Sequence, residues 1–260
     1  VRKVAMVTGA GRGLGASIAR SLADGGARVF VNDIDRDLAA RTVSEIEERG
    51  GEAIALTGDV SSSVSVDELV GHVIDREGRI DWLVNNVASY VRHAGSFWET
   101  DPEEWERILR LTLTTTFLCS RAAAPHMVQR QSGRIVNIAS QAAFSYVPWQ
   151  GPHYHAAKAG VVHLTRTMAV ELAPHGVTVN AMSPTAIERE GDHEGSAVRD
   201  AERGAIIDHI PLGRLARAEE AVAAVAFLLS DQASFVTGET LVVNGGVLGY
   251  GIRPPGGPVP

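Results

Sequence analysis

Tyr154 and Lys158 stand four residues apart in the run Tyr154-His155-Ala156-Ala157-Lys158, and Ser140 lies fourteen residues before the tyrosine, at the end of an apolar run. At that spacing two side chains share one face of a helix, about one turn apart. An ammonium beside a phenol favours the phenolate and lowers the phenol's pKa from its free value of about 10. The pair is then a usable acid–base near neutral pH, and a nearby serine hydroxyl could hold a substrate oxygen. The same spacing arises by chance on many helices, as an exposed tyrosine beside a solvated lysine. What the pair means therefore depends on the elements that position it.

The chain has 260 residues, is 45% hydrophobic and carries a formal net charge of −7. Its mean hydropathy is +0.02. These values fit a soluble globular protein with one large α/β domain or two small ones. The acidic balance and the lack of a basic block argue against a nucleic-acid partner held through phosphates. A single cysteine, Cys119, rules out an internal disulfide. The apolar run Val4–Val7 is too short for a signal segment, and no run approaches a membrane span. The expectation is a cytoplasmic protein with no membrane partner.

Apolar runs alternate with helical patterns along the whole chain. Strands are expected at Val4–Val7, Arg28–Asn32, Ala53–Leu56, Ile80–Val84, Ile135–Ile138, Val177–Met182 and Thr240–Val243. Helices are expected at Ala16–Asp24, Leu38–Arg49, Val66–Glu77, Pro102–Met127, Tyr154–Leu172 and Glu219–Ser230. Asp101 and Pro102 are the N-cap and first residue of the fourth. This order predicts an α/β, Rossmann-type doubly wound parallel sheet of seven strands, with helices on both faces and one domain over residues 1–250. Residues 251–260 read as a Gly- and Pro-rich tail.

The first strand runs straight into Thr8-Gly9-Ala10-Gly11-Arg12-Gly13-Leu14-Gly15, then a helix, then a second strand ending at Asp33. Strand, glycine-rich turn, helix and a strand-end acid form a dinucleotide-binding half-unit. The glycines let the backbone approach a pyrophosphate, and the helix N-terminus offers N–H groups and a positive dipole end. Asp33 would accept from the adenosine ribose hydroxyls and repel a 2′-phosphate, which favours NAD over NADP. Arg12 pulls the other way, because a loop cation could reach that phosphate. Asp33 is fixed at a strand end, so NAD is the expected cofactor. In such a sheet ligands sit beyond the carboxyl ends of the strands. Gly9–Gly15, Asp33, Asp59, Asn85, Ser140 and Ser183-Pro184 all lie there, with Tyr154 and Lys158 in the first turns of the helix after Ser140.

Taken together, these motifs resemble the short-chain dehydrogenase/reductase family across nearly the whole chain. The family's glycine motif matches Thr8, Gly9, Gly13 and Gly15, and its adenine-site aspartate matches Asp59 in Gly58-Asp59-Val60. Its catalytic serine, tyrosine and lysine match Ser140, Tyr154 and Lys158. The resemblance implies hydride transfer between NAD(H) and a secondary alcohol or ketone. Tyr154 would exchange the proton, Lys158 would lower its pKa and hold the nicotinamide ribose, and Ser140 would orient the substrate oxygen. The implied cofactor set is Gly9, Arg12, Gly13, Leu14, Gly15, Asp33, Asp59, Val60, Asn86, Tyr154, Lys158, Pro184 and Ile187. No metal is implied. A homodimer or homotetramer is, through the helices Pro102–Met127 and Tyr154–Leu172. Leu113, Phe117 and Val161 would lie on faces too apolar for solvent.

Three departures from the family pattern cluster at the nicotinamide end. Asn85-Asn86-Val87-Ala88 replaces N-N-A-G, Thr112 fills the slot of a fourth catalytic residue that is usually asparagine, and Pro184-Thr185 replaces P-G. The asparagine is thought to hold a water in the proton relay through a helix distortion. Ser140 to Tyr154 is one residue longer than the commonest spacing. Ser145, nearer the tyrosine, falls inside the intervening loop. The departures resemble dehydrogenases of cyclic cis-diol carboxylates, which form a catechol as carbon dioxide leaves. A nucleotide-binding protein without catalysis is a further reading.

Two loops should shape the substrate pocket. Phe144–Pro152 carries Phe144, Tyr146 and Trp149, which suit an apolar ring-bearing substrate or pack the loop itself. The segment of about 185–210, with Glu188, Arg189, Glu190, Gly191, Asp192, His193, Glu194 and Gly195, reads as a lid. Arg92-His93 could meet a substrate carboxylate, or be surface cations. His153 and His155, two apart, read as rim or packing residues on different sides of the helix.

Overall fold

All four residues of β1 (Val4–Val7) are buried, because this strand lies at the centre of a sheet covered on both faces. Val4 and Met6 point into one apolar layer and Ala5 and Val7 into the other, as the period of two requires. The computed structural model describes residues 2–89, 95–147, 150–188, 204 and 206–247. Of the residues read above, Arg92, His93, Trp149, most of the lid (Arg189 to Gly195 included) and the tail 251–260 lie outside that range.

The sheet has seven strands in the order β3-β2-β1-β4-β5-β6-β7. The others are β2 (Arg28–Asp33), β3 (Glu52–Thr57), β4 (Trp82–Asn85), β5 (Gly133–Ile138), β6 (Val177–Pro184) and β7 (Thr240–Val243). All pairings are parallel, with Val7 opposite Val31 and Asn85 opposite Asn137. Helices α1 (Gly13–Asp24), α2 (Arg36–Glu48) and α7 (Ala218–Leu229) bury their apolar stripes on one face. Helices α3 (Ser63–Glu77), α5 (Thr115–Gln129) and α6 (Pro152–Leu172) cover the other. Each fully buried valine, leucine or methionine side chain contributes about 1.5–3 kcal/mol. Chain order reverses between β1 and β4, so the crevice above their carboxyl ends is the topological switch point.

The helix expected at Pro102–Met127 is divided. Asp101 caps α4 (Pro102–Leu109), its carboxylate accepting from Glu103 N at 3.0 Å. A π-helical segment, Arg110–Thr114, then leads into α5. The Thr115 N–H donates to the Arg110 carbonyl five residues back, and the carbonyl of Thr112 accepts from the Thr116 hydroxyl at 3.1 Å. The faces of these helices also differ from expectation. Val161 is fully buried, in a cluster with Ala139, Val162 and Ala181, against which Leu113 packs. Only Phe117 of the three residues assigned to an oligomer face is exposed, at 47%. Strand β4 begins at Trp82 rather than Ile80, and α6 begins at Pro152, two residues before Tyr154.

Candidate active site

The glycine-rich turn is built for close approach. A Cβ on Gly15 would sit 2.3 Å from the Gly9 carbonyl oxygen and 2.6 Å from Asn86 Nδ2. Gly13 has φ +58 and a Cβ there would meet no protein atom within 4 Å, so its left-handed backbone faces open space at the start of α1. The N-cap of α1, Arg12, makes no side-chain capping bond, and the first turn has no acid. The first N–H groups of α1, which form the positive end of the helix dipole, thus have no capping side chain there. This is a cradle that fits a dinucleotide pyrophosphate. Leu14 is turned inward against the core.

Asp33 ends β2 beside the glycine turn. Its Oδ2 accepts from Gly11 N and its Oδ1 from Asp35 N, each at 3.0 Å, which fixes the carboxylate beside the loop. Asp59 accepts from Ser61 N at 2.8 Å and from the Ser61 hydroxyl at 2.9 Å. The Val60 side chain is buried in the core, which leaves its main chain for any ligand contact. Asn86 works on the protein itself. Its Nδ2 donates to the carbonyls of Thr8 and Gly9, both at 3.0 Å, and its N–H donates to the Thr8 hydroxyl at 3.0 Å. It thereby ties the end of β4 to the glycine turn. Pro184 ends β6 and Ile187 bridges to Ala216, so both stand on the β6 side of the crevice, away from Asp33 on β2.

Ser140, Tyr154 and Lys158 are all placed about the end of β5. Ser140 follows the strand, is 9% exposed, and its hydroxyl oxygen accepts from Ala142 N at 3.2 Å. Tyr154 is in the first turn of α6 and packs with Ile108, Ala142 and Val147. Lys158 is 2% exposed. Its Nζ donates to the Ile138 carbonyl at 2.6 Å and lies 5.8 Å from the Tyr154 ring centroid. Burial pushes this ammonium down to about 7, because a charged amine loses its hydration there. Thr112, fully buried, sits in the π segment, and its hydroxyl oxygen accepts from Ser89 N at 3.3 Å. Cys119 lies away from this chemistry in the sheet core, where burial pushes its thiol up to about 12 and makes it inert.

Ser120, Asn137, Thr165, Gln141 and Asn244 support the site without a signal in the sequence. Asn85 Nδ2 donates to Ser120 Oγ at 2.9 Å and to Asn137 Oδ1 at 2.8 Å, and Asn137 Nδ2 donates to Thr165 Oγ1 at 2.9 Å. This buried chain joins β4, α5, β5 and α6 beneath the site. Gln141, next to Ser140, accepts from Asn244 Nδ2 at 2.8 Å and donates to Ser145 Oγ at 2.6 Å, so Ser145 supports the loop. Of the two readings of His153, rim or packing, it is packing. It is fully buried, with Nε2 2.9 Å from Glu104 Oε1, and so ties the start of α6 to α4.

Comparisons with known proteins agree with this geometry. The family model described as enoyl-(acyl carrier protein) reductase matches residues 9–248. The chain is 40% identical over 248 residues to a 3-oxoacyl-[acyl-carrier-protein] reductase of Synechocystis, covering 95% of this chain and 97% of that one. It is 40% identical over 253 residues to 3beta-hydroxysteroid dehydrogenase 1 of Eggerthella lenta, covering 95% and 94%. Two solved structures share the fold. A 3-oxoacyl-[acyl-carrier protein] reductase from Brucella melitensis with bound NAD is 35% identical, with TM-score 0.84 over 94% of this chain and 90% of that one. A gluconate 5-dehydrogenase from Burkholderia cenocepacia in complex with NADP and tartrate is 31% identical, with TM-score 0.85 over 94% of each. With the glycine turn, the strand-end serine and the tyrosine–lysine pair in one crevice, the chain belongs to the short-chain dehydrogenase/reductase family, oxidoreductases of CH–OH and keto groups.

Proposed function

We propose that the protein transfers a hydride between NAD(H) and a ring-bearing secondary alcohol or ketone, with Ser140, Tyr154 and Lys158 as its catalytic residues. The observation that carries this reading is the buried Lys158 ammonium, anchored on Ile138 O and lying over Tyr154. Out of water, that charge is costly while Tyr154 is neutral. It gains a partner when the tyrosine gives up its proton, so the pair favours the charge distribution of the reacting state over the resting one. Tyr154 donates its proton to a carbonyl oxygen in reduction and takes it from a hydroxyl in oxidation. Ser140 holds that oxygen. When bound, the nicotinamide supplies or accepts the hydride.

NAD is favoured by Asp33, whose carboxylate is fixed by two main-chain N–H groups where a 2′-phosphate would come. A ring-bearing substrate is supported by Phe144 and Tyr146, which stand exposed on the loop after Ser140, and by the hydroxysteroid dehydrogenase relative. Phe117 on α5 and Val170 on α6, 47% and 77% exposed, support assembly through those helices as a homodimer or homotetramer. The test is a panel of cyclic secondary alcohols, cis-diol acids and 3-oxoacyl thioesters, each with NAD(H) and NADP(H), read at the absorbance of the reduced cofactor. Turnover of cyclic alcohols with NAD is expected. Turnover confined to 3-oxoacyl thioesters, or to NADPH, would refute this substrate or cofactor assignment, and carbon dioxide release with diol acids would replace it by the cis-diol reaction.

A further inference from the structure

The residue next to the catalytic tyrosine makes two hydrogen bonds that together fix its protonation. His155 Nε2 lies 3.0 Å from Val147 N, and Nδ1 lies 2.9 Å from the Gly151 carbonyl oxygen. A main-chain N–H only donates, so Nε2 must carry a lone pair. A carbonyl only accepts, so Nδ1 must carry the hydrogen. One form of imidazole satisfies both, the neutral Nδ1–H tautomer. Tyr146 stacks on the same ring, with centroids 5.7 Å apart and planes 13° from parallel.

These contacts act on the wall of the pocket. The Val147 side chain packs against the cluster of Ile108, Ala142 and Tyr154. Ala142 in turn donates to the Ser140 hydroxyl. The Val147 carbonyl accepts from Gln150 N at 3.0 Å. The loop between Ser140 and α6 is therefore held at Val147 by a ring that belongs to the catalytic helix, one residue from Tyr154.

We propose that His155 is a positioning residue, a neutral Nδ1–H latch that holds Val147 against Tyr154 and so sets the wall of the substrate pocket. This rests on the reading of Ser140 and Tyr154 as the site of reaction. The latch acts on the loop and not on the phenol, which α6 holds in place. Its loss should therefore weaken substrate binding more than the chemical step.

The test uses the full chain. Long-range proton–nitrogen correlation on protein labelled with nitrogen-15 histidine, with His155 assigned by its loss in His155→Phe, should show a protonated Nδ1 and a bare Nε2 near neutral pH. The opposite tautomer, or the imidazolium, overturns the proposal. His155→Phe keeps a ring for Tyr146 but removes both nitrogens, whereas His155→Gln restores an acceptor for Val147. Amide exchange followed by mass spectrometry should be about tenfold faster in the Phe variant for the peptide that contains Val147, with distant peptides unchanged. The Gln variant should return toward wild type, and equal exchange in all three proteins overturns the latch. In kinetics with cyclohexanol or a 3-oxoacyl thioester, whichever turns over, KM should rise about fivefold in the Phe variant with kcat less affected, and Gln should recover it. A fall in kcat at constant KM overturns the positioning role. If neither probe reacts, the functional reading fails, while tautomer and exchange still decide the latch. If the Phe variant does not fold, the wild-type tautomer and the Gln variant decide it.

Discussion

Lys158 Nζ donates to the Ile138 carbonyl at 2.6 Å, so the end of β5 and the second turn of α6 are joined through the one ammonium that lies over Tyr154. The bond fixes the charge beside Tyr154, and burial makes that charge costly to the fold. Burial holds the folded amine at about 7, against about 10.4 in an unfolded chain. Between those values the unfolded chain binds more protons, so this group makes stability rise with pH across the window. Below about 7 both states are charged and the full penalty applies.

Lys158→Met should therefore abolish activity and yet stabilise the cofactor-free protein. The gain should be up to about 4 kcal/mol at acid pH, less about 1 kcal/mol for the donor lost to Ile138 O. It should narrow as pH rises through the window and vanish or reverse above it. Urea unfolding of both proteins at a series of pH values checks this. A gap that does not change with pH would show that the amine is not destabilised by burial.

Tyr154→Phe removes one hydroxyl and keeps the ring packed on Ile108, Ala142 and Val147. Turnover should fall by about 10²–10⁴, while affinity for reduced cofactor, read by fluorescence titration, stays within about threefold. Retention of most turnover would remove the tyrosine from its role.

The parts of this site that the sequence makes legible are those set by short-range order. Alternating apolar runs and helical periods give the strands, and strand ends place Gly9–Gly15, Asp33 and Ser140 in one crevice. The π segment at Arg110–Thr114 is different. Its residues keep helical periodicity, and the added residue in the turn is fixed by packing, where Leu113 lies against Gly160 of α6 and a Cβ on that glycine would come within 2.8 Å. Periodicity also assigns a face without naming what covers it. That is why Val161 reads as an oligomer contact and proves to be core, and why His153 reads only as rim or packing and proves to be packed, with Glu104 beside it. The bond from Asn244 to Gln141 spans 103 positions, and nothing local to either residue announces it.

Asp33→Ala should shift cofactor choice and weaken the loop together. Removing the carboxylate frees Gly11 N and Asp35 N, which are partly open to water, so a loss of about 1–2 kcal/mol is expected. On the proposed reading it also removes an acceptor for ribose hydroxyls and the repulsion of a 2′-phosphate. The ratio of kcat/KM for NAD over NADP should fall by about 10–100-fold. Steady-state kinetics with both cofactors gives the ratio, and a ratio unchanged by the substitution would place discrimination elsewhere.

Thr112 tests where the fourth part of the proton relay resides. Its hydroxyl oxygen is engaged by Ser89 N, and its carbonyl already accepts from Thr116. The side chain thus holds the loop after β4 to the π segment, and its hydroxyl hydrogen is what remains for a relay. Thr112→Val keeps the shape and removes the hydroxyl. If the side chain serves only to hold Ser89, the variant should lose about 1 kcal/mol of stability, and kcat should fall less than about fivefold with its solvent isotope effect unchanged. We expect that result, because the distortion that shapes this part of the site is carried by the backbone and by the Leu113–Gly160 contact, both of which valine leaves intact. A fall in kcat of about a hundredfold with an altered isotope effect would instead put the threonine hydroxyl itself in the path of the proton.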